Sequence, residues 1–219
     1  MGEADDDPLA ERGAVEPALA AELPGLYLRW RVVESGSGRS PRALKRRLAE
    51  LSDRFAGPQA VAFRTKPIPH AYRVFHRHIG LDPDEQPPGP ERAVRERMLK
   101  GGFISSNLLD DALTIAMIES GVPVLAFDAD AVVGTPVIRS TVAGEELEGR
   151  PGELPVGTLV IADDRRPISL LFGATASGRG VSPRTARTAL VVVGVAGVPE
   201  IAVEEALWIV TEILQASPG

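Results

Sequence analysis

Cysteine is absent from this chain of 219 residues. That excludes a disulfide scaffold, a thiolate metal site and a cysteine nucleophile. Long hydrophobic runs are absent as well. The longest, Ala189 to Val198, is interrupted by Gly194 and Gly197 and reaches about half of the roughly 20 residues that a bilayer-spanning helix needs. The opening MGEADDDPLAER lacks the basic-then-apolar order of a secretory signal, and Asp6 stands where a myristoylation motif needs Ser or Thr. A soluble, cytoplasmic protein is the expectation. General catalytic motifs are missing too. There is no G-x-S-x-G elbow, and the Gly-rich stretch Gly173 to Gly180 has no Lys-Ser/Thr to close a phosphate loop. His76 and His78, two apart on a helix, point to different faces with no third ligand type grouped nearby, so no metal site is expected.

What is present is an ordinary globular composition, with 44% hydrophobic and 25% charged residues. A mainly disordered or fibrous chain is thereby ruled out, and the length suits one domain with a sizeable core. Charge is unevenly distributed. Residues 1–22 hold seven acids and one arginine, which equals the whole net charge of −6. Residues 39–100 carry 14 Lys/Arg against 7 Asp/Glu, and the rest of the chain is correspondingly acidic. A basic half-domain can meet phosphates, whereas a uniformly basic, nucleic-acid-coating surface is excluded. A solvated helix rich in arginine explains the same numbers. Residues 1–22 read as a disordered acidic tail, and residues 23–217 as the single domain.

The periodicity changes along the chain. Leu26 to Val33 alternates as a strand. Ser40-Pro41 then opens a helix with Leu44, Leu48, Leu51 and Phe55 at helical spacing. Pro67 and Pro69 open a second helix, with Tyr72, Phe75, His76 and Ile79 inward and Gly80 as its stop. A third spans Glu91 to Lys100, and a fourth runs from an Asn107 cap to about Ser120. Short strands follow at Val122–Phe127, Val137–Val142, Thr158–Ala162, Ile168–Phe172 and Ala189–Val193. Asp163 to Arg166 reads as a hairpin turn, and a last helix covers Pro199 to Gln215. Helices first, then mostly antiparallel strands, then a closing helix predict an α+β fold with helices around a mixed, mostly antiparallel sheet core. Asp110-Asp111 and Asp128/Asp130 are candidate carboxylate pairs for acid/base work, although an Asp pair at a helix start also favours the helix dipole.

One longer pattern goes further. Ile68-Pro-His-Ala-Tyr-Arg73 is followed by His78-Ile-Gly-Leu-Asp-Pro83, Arg92 to Gly101 and Ile104-Ser-Ser-Asn-Leu-Leu-Asp-Asp111. Val124 to Asp128, Val137-Ile-Arg139, Gly144-Glu-Glu146, Gly157 to Asp163 and Val181 to Thr185 continue it. In order and spacing this resembles the editing (tRNA-binding) domain of the bacterial phenylalanyl-tRNA synthetase beta subunit, in its freestanding form, over roughly residues 25–215. The resemblance implies a pocket for the aminoacyl end of a charged tRNA and hydrolysis of a mischarged ester in trans. No metal or organic cofactor is implied. Because an aminoacyl ester is already activated, a positioned water with donors to the developing oxyanion suffices, and no serine or cysteine nucleophile is required.

The resemblance places Asn107, Asp111, Thr114, Asp128 and Arg139 at the substrate. A lone arginine inside an apolar strand needs a carboxylate partner, and Asp111 or Asp128 are the candidates for Arg139. The resemblance also places Tyr72-Arg73 at the start of a helix whose His70, Arg73 and Arg77 share one face. With Arg46 and Arg47 these are the candidate tRNA contacts. Asn107 also serves simply as a helix cap. This chain departs from the family pattern at Pro88-Gly-Pro90, at Thr114 where asparagine is usual, and at Ser169 to Gly173, changes that remove polar groups. The alternative readings are a non-catalytic module that binds a free amino acid or small metabolite in the same pocket, and an RNA-binding accessory protein.

Overall fold

The computed structural model describes residues 10–55 and 57–216. Its centre is one strand, Thr188–Gly194, whose seven residues are all buried. An element with no exposed face must be covered on both sides and paired on both edges. Tyr27–Val33 pairs with one edge and Val124–Asp128 with the other, both antiparallel. A second sheet is built from Val137–Ser140, Leu159–Ala162 and Pro167–Leu170, again antiparallel. Two short strands near the start join these sheets, Glu11–Arg12 to the first and Ala14–Val15, in parallel, to the second. In chain order the strands are β1 (Glu11–Arg12), β2 (Ala14–Val15), β3 (Tyr27–Val33), β4 (Val124–Asp128), β5 (Val137–Ser140), β6 (Leu159–Ala162), β7 (Pro167–Leu170) and β8 (Thr188–Gly194). The sheet orders are β1-β3-β8-β4 and β2-β5-β6-β7. The fold is α+β, as the period change predicts.

The helices are α1 (Pro17–Glu22), α2 (Arg42–Arg54), α3 (Pro58–Ala62), α4 (Pro67–His78), α5 (Gly89–Lys100), α6 (Leu108–Ser120) and α7 (Glu200–Gln215). Their signals are the expected ones. Pro stands in the first turn of α1, α3, α4 and α5, where its missing N–H costs nothing. Gly101 and Gly121 end α5 and α6 in left-handed conformations that an L side chain resists. α7 lies against α6 and the first sheet, with Val203, Ala206, Leu207 and Val210 fully enclosed. On α4, Tyr72, Phe75 and His76 face inward, and the Tyr72 hydroxyl donates to the Val193 carbonyl at 2.8 Å. That bond pins α4 to the central strand.

The acidic tail expected over residues 1–22 requires correction. Residues 1–9 lie outside the described residues, but residues 10–22 form β1, β2 and α1. Main-chain pairing, which an apolar count ignores, holds them. Gly13 N–H donates to Leu28 O at 3.0 Å and Ala14 N–H to Pro136 O at 3.1 Å. The Glu16 carboxylate accepts from Ser140 N–H, and Leu19 is buried. Gly13 is the stitch between the sheets, and a Cβ there would run into the Leu28 side chain and the Pro136 carbonyl. Gly13→Val is therefore expected to cost at least the about 1–3 kcal/mol typical of overpacking. Gly152→Ala, where a Cβ meets nothing within 4 Å, is expected to cost less, even with its left-handed backbone. Urea denaturation of both variants measures the difference.

Candidate functional site

The N-terminus of α6 carries a polar cluster whose hydrogen bonds are made within the fold. Asn107 caps it: its carbonyl accepts from Asp110 N–H at 2.9 Å and its amide donates to the Asp110 carboxylate at 2.7 Å. Asp111, 1% exposed, accepts from the Ser40 and Ser105 hydroxyls, each at 2.6 Å, and from Ser106 N–H at 2.9 Å. Leu108 N–H donates to Gly38 O at 2.7 Å, so the loop before α2 is bound to the loop before α6. The same loop reaches the Ser182 carbonyl through Ser37. Asp128 stands at the far end of this seam, taking the Thr185 hydroxyl at 2.6 Å and Asp130 N–H at 3.1 Å.

Asn107, Asp111 and Asp128 thus lie along one hydrogen-bonded seam rather than around one opening. Thr114, one turn beyond Asp111, borders a shallow depression beside Arg97, Lys100 and Phe103. Arg139 is elsewhere, on β5. Its carboxylate partner is neither Asp111 nor Asp128 but Glu145, at 2.6 and 2.8 Å, in the loop that follows the strand. A partner six residues away meets the need of a half-buried guanidinium more directly than one in the other sheet. Arg139 in turn holds the Glu145 carboxyl below its ordinary value.

The expected basic face of α4 is also corrected. His70 and Arg77 are exposed, but Arg73 is buried. The loop before α5 folds back over α4 and delivers Asp84, at 2.6 Å, to the Arg73 guanidinium, and the first turn of α5 adds Glu91, at 2.8 Å. On α2, Arg46 is exposed and lies 3.9 Å from Glu50, whereas Arg47 is engaged by Glu119 at 2.7 Å.

A concave feature of the right scale lies between the end of α4 and the second sheet. Ile79, Leu81 and Gln86 form one wall of a 240 Å³ cleft, and Thr158, Leu159, Leu170 and Phe172 contribute to the other. It falls a little short of the roughly 300–1,000 Å³ of drug-sized pockets and suits a group the size of an amino acid. No lining residue carries a titratable side chain. Phe172 shapes the cleft by adopting φ 59°, the left-handed region, unlike any other described residue except glycine. Its ring meets those of Tyr72 at 5.9 Å, Phe75 at 6.0 Å and His76 at 4.9 Å. Sequence reasoning placed Ser169 to Gly173 among the departures but read the segment as strand. The strand stops at Leu170, and an exposed turn signal at Gly173 was the available clue.

Burial lowers the pKa of His76 behind this wall from its ordinary 6.5, only partly opposed by the hydrogen bond of Nδ1 with the Tyr72 carbonyl. Among the described residues, no three His, Asp or Glu side chains group as a metal site, and no helix is long and apolar enough to cross a membrane.

Comparison with known sequences matches residues 71–207 to the family described as the B3/4 domain. The chain is 34% identical over 90 residues to the phenylalanine–tRNA ligase beta subunit of Yersinia pestis, a match covering 39% of this chain and 11% of that protein. It is 36% identical over 104 residues to the subunit of Cutibacterium acnes, covering 46% and 12%. With the subunit of Streptomyces avermitilis it shares 35% over 94 residues, covering 42% and 11%. The matched stretch is thus about a tenth of the length of these relatives.

Two outcomes follow from the geometry. Asp111→Ala leaves the buried Ser40 hydroxyl without its acceptor, at a cost of about 1–3 kcal/mol, so chemical denaturation should register a loss of at least that size. The folded His76 takes up its proton at lower pH than the unfolded one. Stability is therefore full above pH 6.5 and falls as the pH drops below it. His76→Phe should flatten that stretch of the stability–pH curve, and an unchanged curve would contradict the assignment.

Proposed function

Because the chain belongs to the B3/4 domain family, we propose that it is a tRNA-binding protein of the editing type, which receives the aminoacylated end of a tRNA and hydrolyses a mischarged ester in trans. The observation that carries this reading is the cleft: both of its walls fall inside the matched residues 71–207, and it has the size of one amino acid. Relatives that are tRNA ligase subunits support a tRNA-related partner. The apolar lining provided by Ile79, Leu81, Leu170 and Phe172 suits an apolar amino-acid side chain. An activated ester held there needs only a water molecule in line with its carbonyl, with nearby donors stabilising the oxyanion.

A second reading rests on a specific observation. The cleft offers no titratable group as general base, which favours a non-catalytic module that binds the same aminoacyl group without turnover. A deacylation screen over a panel of mischarged tRNAs, run beside equilibrium binding, separates the two. The editing reading expects at least one substrate to be cleared, and Leu159→Trp, which fills the cleft, to reduce that rate at least tenfold with the fold intact. Binding without turnover, lost in Leu159→Trp, would establish the module. Neither turnover nor binding would reject both.

A further inference from the structure

A second cavity is larger than the cleft. It is a 390 Å³ groove between α3 and α5, with Ala60, Val61, Val94 and Met98 as its apolar surface and Arg64, Arg95, Asp84 and Glu91 as its polar one. Val61 and Met98 are each more than half exposed, which leaves an apolar strip uncovered beside charges. The charges have an unusual arrangement. Asp84 is an exposed carboxylate approached by several guanidinium groups. Arg73 donates to it at 2.6 Å, Arg64 stands 4.0 Å away, and Arg95 donates to its main-chain carbonyl at 3.1 Å. Arg73 foremost, through its hydrogen bond, with Arg77 and Arg64 acting electrostatically, holds the Asp84 carboxyl below its ordinary value. Two further acids belong to this cluster by hydrogen bonding: Glu91, whose two oxygens both engage Arg73, and Asp82, which accepts from Asp84 N–H.

We propose that this groove binds a nucleotide, with its phosphate among Arg64, Arg77 and Arg95 in the place Asp84 now occupies and its base over Val61 and Met98. Three features favour that class over other amphipathic anions. Guanidinium groups meet phosphate oxygens in matched, charge-assisted geometry. An exposed apolar strip beside them accepts a planar base. Each oxygen of Glu91 retains a lone pair after its bond to Arg73, so the groove also offers acceptors for ribose hydroxyl or base amino donors, which a fatty acid lacks. Asp84 is then an internal competitor, and its removal strengthens binding instead of weakening it. A merely structural carboxylate gives no such gain.

The test is calorimetric titration of the full chain and its variants with AMP, with inorganic phosphate and with a short oligoribonucleotide. Thermal unfolding of each variant checks that it is folded. AMP is expected to bind, at least fivefold more tightly in Asp84→Asn and at least tenfold more weakly in Arg64→Ala and Arg95→Ala, with phosphate alone weaker than AMP. The same response for the oligoribonucleotide but not for AMP identifies the nucleotide as part of an RNA strand. Leu159→Trp in the separate cleft should leave these affinities unchanged. No saturable binding of any probe at millimolar concentration, or binding indifferent to Asp84→Asn, Arg64→Ala and Arg95→Ala, would overturn the proposal.

Discussion

Enclosing β8 is the constraint on which the rest of the molecule depends. A strand with no exposed residue has its hydrogen bonds satisfied only if both edges are paired, and its side chains require cover on both faces. β3 and β4 supply the edges, and α6 and α7 pack over one side of the layer. The Tyr72 hydroxyl ties α4 to the same strand at Val193. The position of α4 then sets where its C-terminal end meets the second sheet, which is where the apolar cleft opens. The cleft is therefore a consequence of the core rather than a loop feature added to it. Phe172, turned into a left-handed conformation over Tyr72, Phe75 and His76, is the joint between core and cleft.

Charge in this protein is spent largely on architecture. Arg73 and Arg179 hold together segments that are otherwise separate, through Glu91 and Asp163, and Arg139 fastens the loop that follows its own strand through Glu145. Asp163 is instructive. Burial alone would raise its pKa, but main-chain donation from Arg165, Arg166 and Val133, with Arg179 adding attraction, reverses the direction. Asp111 ties the loops before α2 and α6 together with three neutral donors and no cation among them. The basic segment nonetheless keeps most of its charge at the surface: among the Lys and Arg residues of 39–100 only Arg73 is buried, while Arg46, Arg64, Arg77 and Arg95 are exposed.

The sequence was legible where a local signal has one dominant cause. Proline starts, glycine stops, the Asn107 cap and the alternation of Tyr27 to Val33 predict their elements to within a few residues. The α+β class follows from the change of period. What escaped depends on distant partners. The segment of residues 10–22 has weak propensity and is ordered by pairing with β3 and β5, which no window of sequence contains. Arg73 shares a helical face with His70 and Arg77, yet Asp84 in the returning loop and Glu91 in the first turn of α5 engage it alone. Asn107, Asp111 and Asp128 come to one seam, but as structural acceptors, and Arg139 belongs to the other sheet. The cleft was foreshadowed only by the apolar substitutions at Ser169 to Gly173, because its opposite wall, Ile79 to Gln86, is brought there by the fold.

The most direct measurement is an amide NMR titration of the isotopically labelled protein with a hydrolysis-resistant aminoacyl-adenosine carrying an apolar side chain. Seating of the acylated end between α4 and the second sheet predicts that the largest saturable shifts fall on Ile79, Thr158, Leu170 and Phe172. Shifts confined to the Asp111 seam, or no saturable shift at all, would contradict it.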